Sequence, residues 1–67
     1  LMAMKSLEER LPPTQFMRIH RSYIVNLGRI AQVTKNRVVL DDGTELPLGE
    51  AYRPAFDAFL SRRMLNA

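Results

Sequence analysis

Arg18, His20, Arg21, Ser22 and Asn26 crowd into one short stretch, Phe16–Leu27, which reads Phe-Met-Arg-Ile-His-Arg-Ser-Tyr-Ile-Val-Asn-Leu. Guanidinium, imidazole, hydroxyl and amide groups are hydrogen-bond donors suited to gripping oxyanions and base edges. Bond-making chemistry, by contrast, lacks parts. The chain has one histidine and no cysteine, so neither a zinc cluster nor a Cys–His nucleophile can be assembled. Ser22 lies two residues from His20 with no third group nearby to orient the pair. Asp41-Asp42 stand beside Gly43, where turn chemistry accounts for them. Three isolated glycines make no phosphate loop. No catalytic residue, metal or cofactor is expected.

Recognition of nucleic acid uses the groups that are present. Arginine bonds the O6/N7 edge of guanine in the major groove, a contact worth roughly 1–3 kcal/mol of discrimination. Arg21 is the candidate for that role; a solvated arginine, or one spanning to a phosphate only, is the competing reading. Arg18, fixed in height by its strand, suits a phosphate. Ser22 and Asn26 can donate to phosphate oxygens, and Asn26 equally suits capping of the turn that follows it. His20 beside a core strand also reads as a hydrogen-bonded structural group. Charge distribution favours a polyanionic partner: no acid falls between Glu9 and Asp41, whereas Arg10, Arg18, Arg21, Arg29, Lys35 and Arg37 all do. Such asymmetry produces a positive face that a formal net charge of +3 understates.

These side chains must be held by a small scaffold. From Met17 to Arg21 apolar and polar residues alternate, the period of a strand with one wet face, so Met17 and Ile19 should point inward while Arg18, His20 and Arg21 reach solvent or a partner. Tyr23–Val25 returns to the core and Asn26-Leu27-Gly28 ends the pattern. Upstream, Ser6-Leu7-Glu8-Glu9 fits a capping box opening a short helix, with Leu7 and Leu11 on one face packed against a sheet and Pro12-Pro13 as its stop. Downstream, Arg29–Lys35, Arg37–Leu40 and Thr44–Leu48 read as an antiparallel meander, with Asp42-Gly43 as a hairpin turn and Pro47 at an edge or strand end. The period then becomes helical: Phe56, Phe59, Leu60 and Met64 form one stripe, Pro54 fits only a first turn, and the helix should start near Glu50–Arg53. Arg62 and Arg63 fall where positive charge suits the helix end.

Sixty-seven residues allow one small domain, and 46% apolar with 25% charged residues argues against disorder. Without cysteine nothing staples its core, and the composition suits a reducing cytoplasm. No apolar run approaches the length of a membrane span. Leu1-Met2-Ala3-Met4 resembles the tail of a strand already under way, so residues 1–67 are read as a single, incomplete domain.

The blocks "LEERLPP", "RIHRSYIVNL" and "DDGTELPLGEAYR", in that order and at matching spacing, resemble the LytTR family of bacterial DNA-binding domains, from Met4 to about Leu60. The resemblance implies a mainly β fold of antiparallel strands with a short helix near the start and a C-terminal helix. It also implies that double-stranded DNA is read by loops. The loop after "RIH" enters a major groove in the family, and the residue following the histidine, Arg21 here, contacts bases. A second contact region falls on Pro47–Arg53, where Gly49, Glu50 and Ala51 replace serine and basic residues common in the family; Arg53 remains as a phosphate partner, while Glu50 would be repelled. Further strands precede this part of the domain in family members and have no counterpart before Leu1. Family habit also implies a homodimer on repeated sites, a receiver or sensor domain upstream, and a cytoplasmic transcriptional regulator. The rival reading is a protein-interaction or dimerisation module that uses the Phe56/Phe59/Leu60 stripe and open strand edges. Tyr23 and Tyr52 are too few and too far apart for an RNA-stacking platform.

Overall fold

A computed structural model describes residues 3–65, with side chains described as far as Arg62. The expectations for Leu1, Met2, Arg63 and Met64 therefore fall, in whole or in their side chains, outside the described residues.

The chain opens with α1 (Met4–Arg10), which begins two residues before Ser6. Ala3 is the N-cap, its carbonyl accepting from the Leu7 amide at 3.0 Å and no side chain capping the end. The capping-box expectation is thereby corrected. Met4 and Lys5 are good helix formers and carry the helix backwards, leaving the Ser6 hydroxyl inside it, where it cannot cap. Leu11 ends the helix in extended conformation, ahead of Pro12-Pro13, as expected. Packing of its leucines is not as expected: no residue of α1 is buried, and Leu7 is 39% exposed.

Five strands follow in two antiparallel sheets. β1 (Phe16–His20) pairs with β2 (Tyr23–Asn26), and the Leu27 amide extends their ladder to the Gln15 carbonyl at 2.8 Å. β3 (Ile30–Val33), β4 (Arg37–Leu40) and β5 (Glu45–Pro47) form the expected meander in the order β3-β4-β5. β3 is shorter than the expected Arg29–Lys35: a 3-10 turn at Leu27–Arg29, capped by Asn26, takes its first residue, and Thr34 and Lys35 fall in the turn to β4, closed by the Thr34 amide on the Arg37 carbonyl at 2.9 Å. Pro47 sits on edge strand β5, where its missing N–H costs no internal ladder bond. At the β4–β5 turn Gly43 has φ of 91°, and the Asp42 carboxylate accepts from the Thr44 amide at 2.9 Å. A second 3-10 turn, Glu50–Tyr52, leads into α2 (Arg53–Leu65) with Pro54 in its first turn.

The core joins both sheets to α2. Ile19 and Val25 from the first hairpin, Val38 from β4, Leu27, Leu48 and Phe56 are buried together, with Phe59 and Leu60 packed half-buried at the margin. Ile19 and Phe56 are wholly inaccessible, and full burial of a side chain of that size contributes about 1.5–3 kcal/mol. Tyr23 departs from the expected return to the core: it is 41% exposed, its ring tilted against that of His20. A cleft of about 400 Å³ lined by Thr14, Gln15, Asn26, Leu27, Gly28 and Phe59 opens beside this core.

Candidate nucleic-acid interface

β1 and β2 are joined by only two residues, Arg21 and Ser22, between the paired His20 and Tyr23. Two-residue hairpin turns ordinarily use glycine or asparagine at positive φ to match strand twist. Here neither residue is glycine, and among the described residues no non-glycine has positive φ. The mismatch is taken up elsewhere: the pairing register shifts between Arg18 and His20, where β1 carries an irregularity that re-aims its end. Side chains then fasten the turn. His20 Nδ1 accepts from the Ser22 amide at 3.1 Å, which places the proton of a neutral ring on Nε2.

Arg18 supplies the remaining fastening. Its Nε donates to the His20 carbonyl at 3.2 Å and its Nη2 to the Arg21 carbonyl at 2.7 Å. Nη1 lies 3.6 Å from Glu8 Oε1 on α1, and the guanidinium stands 5.4 Å from the centre of the Tyr52 ring. The sequence sends Arg18 to solvent; the structure leaves its side chain only 17% exposed. The reason is its surroundings: two turn carbonyls, the Glu8 carboxylate and the Tyr52 ring lie around one guanidinium.

Arg21, in contrast, is exposed, and among the described residues its guanidinium has no ion pair or hydrogen bond. Ser22 beside it is also exposed. His20, Arg21 and Ser22 thus share the tip of the hairpin. Asn26 does not join them: it pairs with Phe16 at the opposite end, its Oδ1 accepting from the Gly28 amide at 3.0 Å. Of its two readings, the cap is the geometry observed. Arg53 begins α2 immediately after the segment that packs on the hairpin, and is half-buried. In that segment the Gly49 amide donates to the Ile19 carbonyl at 2.7 Å. A Cβ at Gly49 would come 3.3 Å from Tyr52 and 3.5 Å from the His20 ring, so the approach is close. Glu50 is exposed.

Pairing in space reduces the positive face implied by the acid-free interval. Arg29 clasps Asp41 through both carboxylate oxygens, at 2.8 and 3.0 Å, and Arg37 reaches Glu45 diagonally across β4 and β5 at 3.8 Å. The hydrogen bond and charge of Asp41 raise the Arg29 pKa further above its ordinary value. Both acids lie outside the interval in sequence; Asp41 returns to it through the β3–β4 hairpin and Glu45 through the β4–β5 hairpin. Tyr52, Glu8 and Gly49, which shape the site, carry no local signal that would have found them. Their contacts join segments distant along the chain. Among the described residues no group of acids and histidine could hold a metal ion, and no helix is long and apolar enough to cross a membrane.

The chain is similar in sequence to several bacterial regulatory proteins. Transcriptional regulatory protein LytR of Staphylococcus aureus is 39% identical over 56 residues, which is 76% of this chain and 23% of that protein. CO-responsive transcriptional regulator RcoM of Rhodospirillum rubrum is 41% identical over 56 residues, 75% of this chain and 24% of that protein. Sensory transduction protein LytT of Bacillus cereus is 31% identical over 51 residues, 69% of this chain and 21% of that protein. The chain therefore spans about a quarter of the length of these relatives. No solved structure matches it. A family model described as the LytTr DNA-binding domain matches residues 1–61, and the chain belongs to that family.

Proposed function

We propose that this chain binds double-stranded DNA as the output domain of a bacterial transcriptional regulator, with the Arg21-Ser22 turn entering the major groove. The observation that carries the reading is the exposed guanidinium of Arg21, unpaired among the described residues, at the tip of a hairpin whose backbone is tied down. A two-stranded ribbon fits a major groove about 12 Å wide. Arg21 reads guanine there. The Ser22 hydroxyl and His20 Nε2 donate to flanking phosphates, and Arg53 reaches a phosphate from the start of α2. Asn26, at the other end of the hairpin, belongs to this surface only if DNA extends along the strands. An upstream receiver or sensor domain and a homodimer on repeated sites complete the proposal, in keeping with relatives described as sensory and CO-responsive.

Binding to a duplex enriched from a random pool, measured against salt, tests this. Each neutralised phosphate releases counterions, so the logarithm of affinity should fall linearly with the logarithm of salt. Salt-independent binding, or failure of the wild-type domain to enrich any duplex, would count against the reading. The rival docking role is favoured by the half-buried Phe59 and Leu60 beside the cleft. Phe59→Asp separates them: a partner site would be lost with the fold intact, whereas a core residue would take the fold with it.

A further inference from the structure

We propose that Arg18 is a positioning residue that shapes the DNA-reading turn from inside the protein and does not itself grip a phosphate; the proposal rests on the DNA-binding reading above. The placement of its donors carries the inference. Nε and Nη2 are committed to the carbonyls of His20 and Arg21, which belong to the two successive peptides flanking the Arg21 Cα. A planar guanidinium presents its donors in a fixed fork, so holding both carbonyls sets the orientation of both peptides. The orientation of these peptides fixes the direction in which the Arg21 side chain leaves the backbone.

The remaining partners hold the fork in place. Glu8 approaches Nη1 from α1 and offsets the charge a phosphate would need. Tyr52 lies against the guanidinium from the segment before α2. Seated among these groups and 17% exposed, Arg18 turns Nε, Nη1 and Nη2 towards protein acceptors and has little surface left for a phosphate. The turn needs such a fastener because it has neither glycine nor positive φ to stabilise itself. Arg18 also links α1, the hairpin tip and the 3-10 turn before α2, so their relative placement reaches Arg21 through one side chain.

Two variants of the whole chain, Arg18→Ala and Arg18→Lys, distinguish a fastener from a phosphate contact. Lysine keeps the charge but lacks the planar fork that fixes the two carbonyls relative to each other. The probe is the duplex enriched by the wild-type domain, compared with the same duplex changed at single base pairs. Both variants should keep the wild-type salt slope and lose discrimination on the order of tenfold at the position read by Arg21. Arg18→Ala combined with Arg21→Ala should lose no more discrimination than Arg21→Ala alone. In the DNA-free domain, backbone amides of Arg21 and Ser22 should become more mobile by NMR relaxation in both variants.

A salt slope reduced by about 1 in Arg18→Ala, restored in Arg18→Lys with discrimination intact, would identify a phosphate contact and overturn the proposal. Unchanged turn mobility and an unchanged discrimination ratio, with only the active fraction lowered, would leave Arg18 a folding residue and overturn it equally. If the wild type enriches no duplex, the DNA reading fails by itself, and the free-domain relaxation still decides whether Arg18 orders the turn.

Discussion

Two of the three hairpin turns of this domain, β1–β2 and β4–β5, are built in opposite ways. Between β4 and β5, Asp42, Gly43 and Thr44 contain everything the turn requires: a glycine at φ 91° and a carboxylate accepting from the amide two residues on. Between β1 and β2, Arg21 and Ser22 contain almost nothing of the kind. Their backbone is held by Arg18, by the His20 ring and by a shift in strand register. A turn stabilised by its own residues must spend them on the turn. A turn stabilised from outside leaves its side chains free for a partner. The guanidinium of Arg21, exposed and unpaired among the described residues, is the result.

Both hairpins stand on the shared core, so the largest effect should come from below them. Phe56→Ala should cost about 3–5 kcal/mol of stability in chemical denaturation. It should lower DNA binding only through the unfolded fraction. Loss of one hairpin's amide protection without the other would show that they do not share support. Arg21→Ala should leave the melting temperature nearly unchanged and cost roughly 1–3 kcal/mol of base discrimination, read by competition between single-base variants of the enriched duplex. Gly43→Ala should do the reverse. A residue with a Cβ at that positive φ costs about 1–2 kcal/mol, visible in thermal melts, with base preference untouched. A shift in preference would mean that the two turns are coupled.

The smallest effect concerns acid. The amide and hydroxyl of Thr44 hold the Asp42 carboxyl below its ordinary pKa. Because the folded value is depressed, the stabilisation is present above the unfolded value, about 3.9, and is lost as pH falls through the folded one. The gap in melting temperature between wild type and Asp42→Ala should therefore be present at neutral pH and narrow steadily below about pH 4. A gap constant with pH would mean that the Asp42 charge contributes nothing to the turn.

The same contrast explains which parts of the molecule were legible beforehand. Asp42-Gly43 announced its turn because the chemistry is local. Pro47 announced an edge for a similar reason, since the missing donor belongs to the residue itself. Phe56 and Leu60 marked the buried side of α2 through helical spacing. Ser6 misled because a capping motif states what a helix start would look like there, while Met4 and Lys5 already favour an earlier one. Leu7 misled because helical spacing shows that a face exists without showing what covers it. Arg29 and Arg37 looked like free charge until the hairpins brought Asp41 and Glu45 beside them.

Residue order alone determined the alternation that buries Ile19, the meander with its glycine turn, and the polar cluster around His20 and Arg21. Those features depend on periodicity and on the preferences of single residues, which act over a few positions. Folding decided which of two arginines three residues apart faces outward. Arg18 was claimed by Glu8 and Tyr52, from segments far from it in the chain, while Arg21 met no acid among the described residues. A guanidinium takes whichever acceptors surround it in three dimensions, and the linear order of residues does not specify those neighbours.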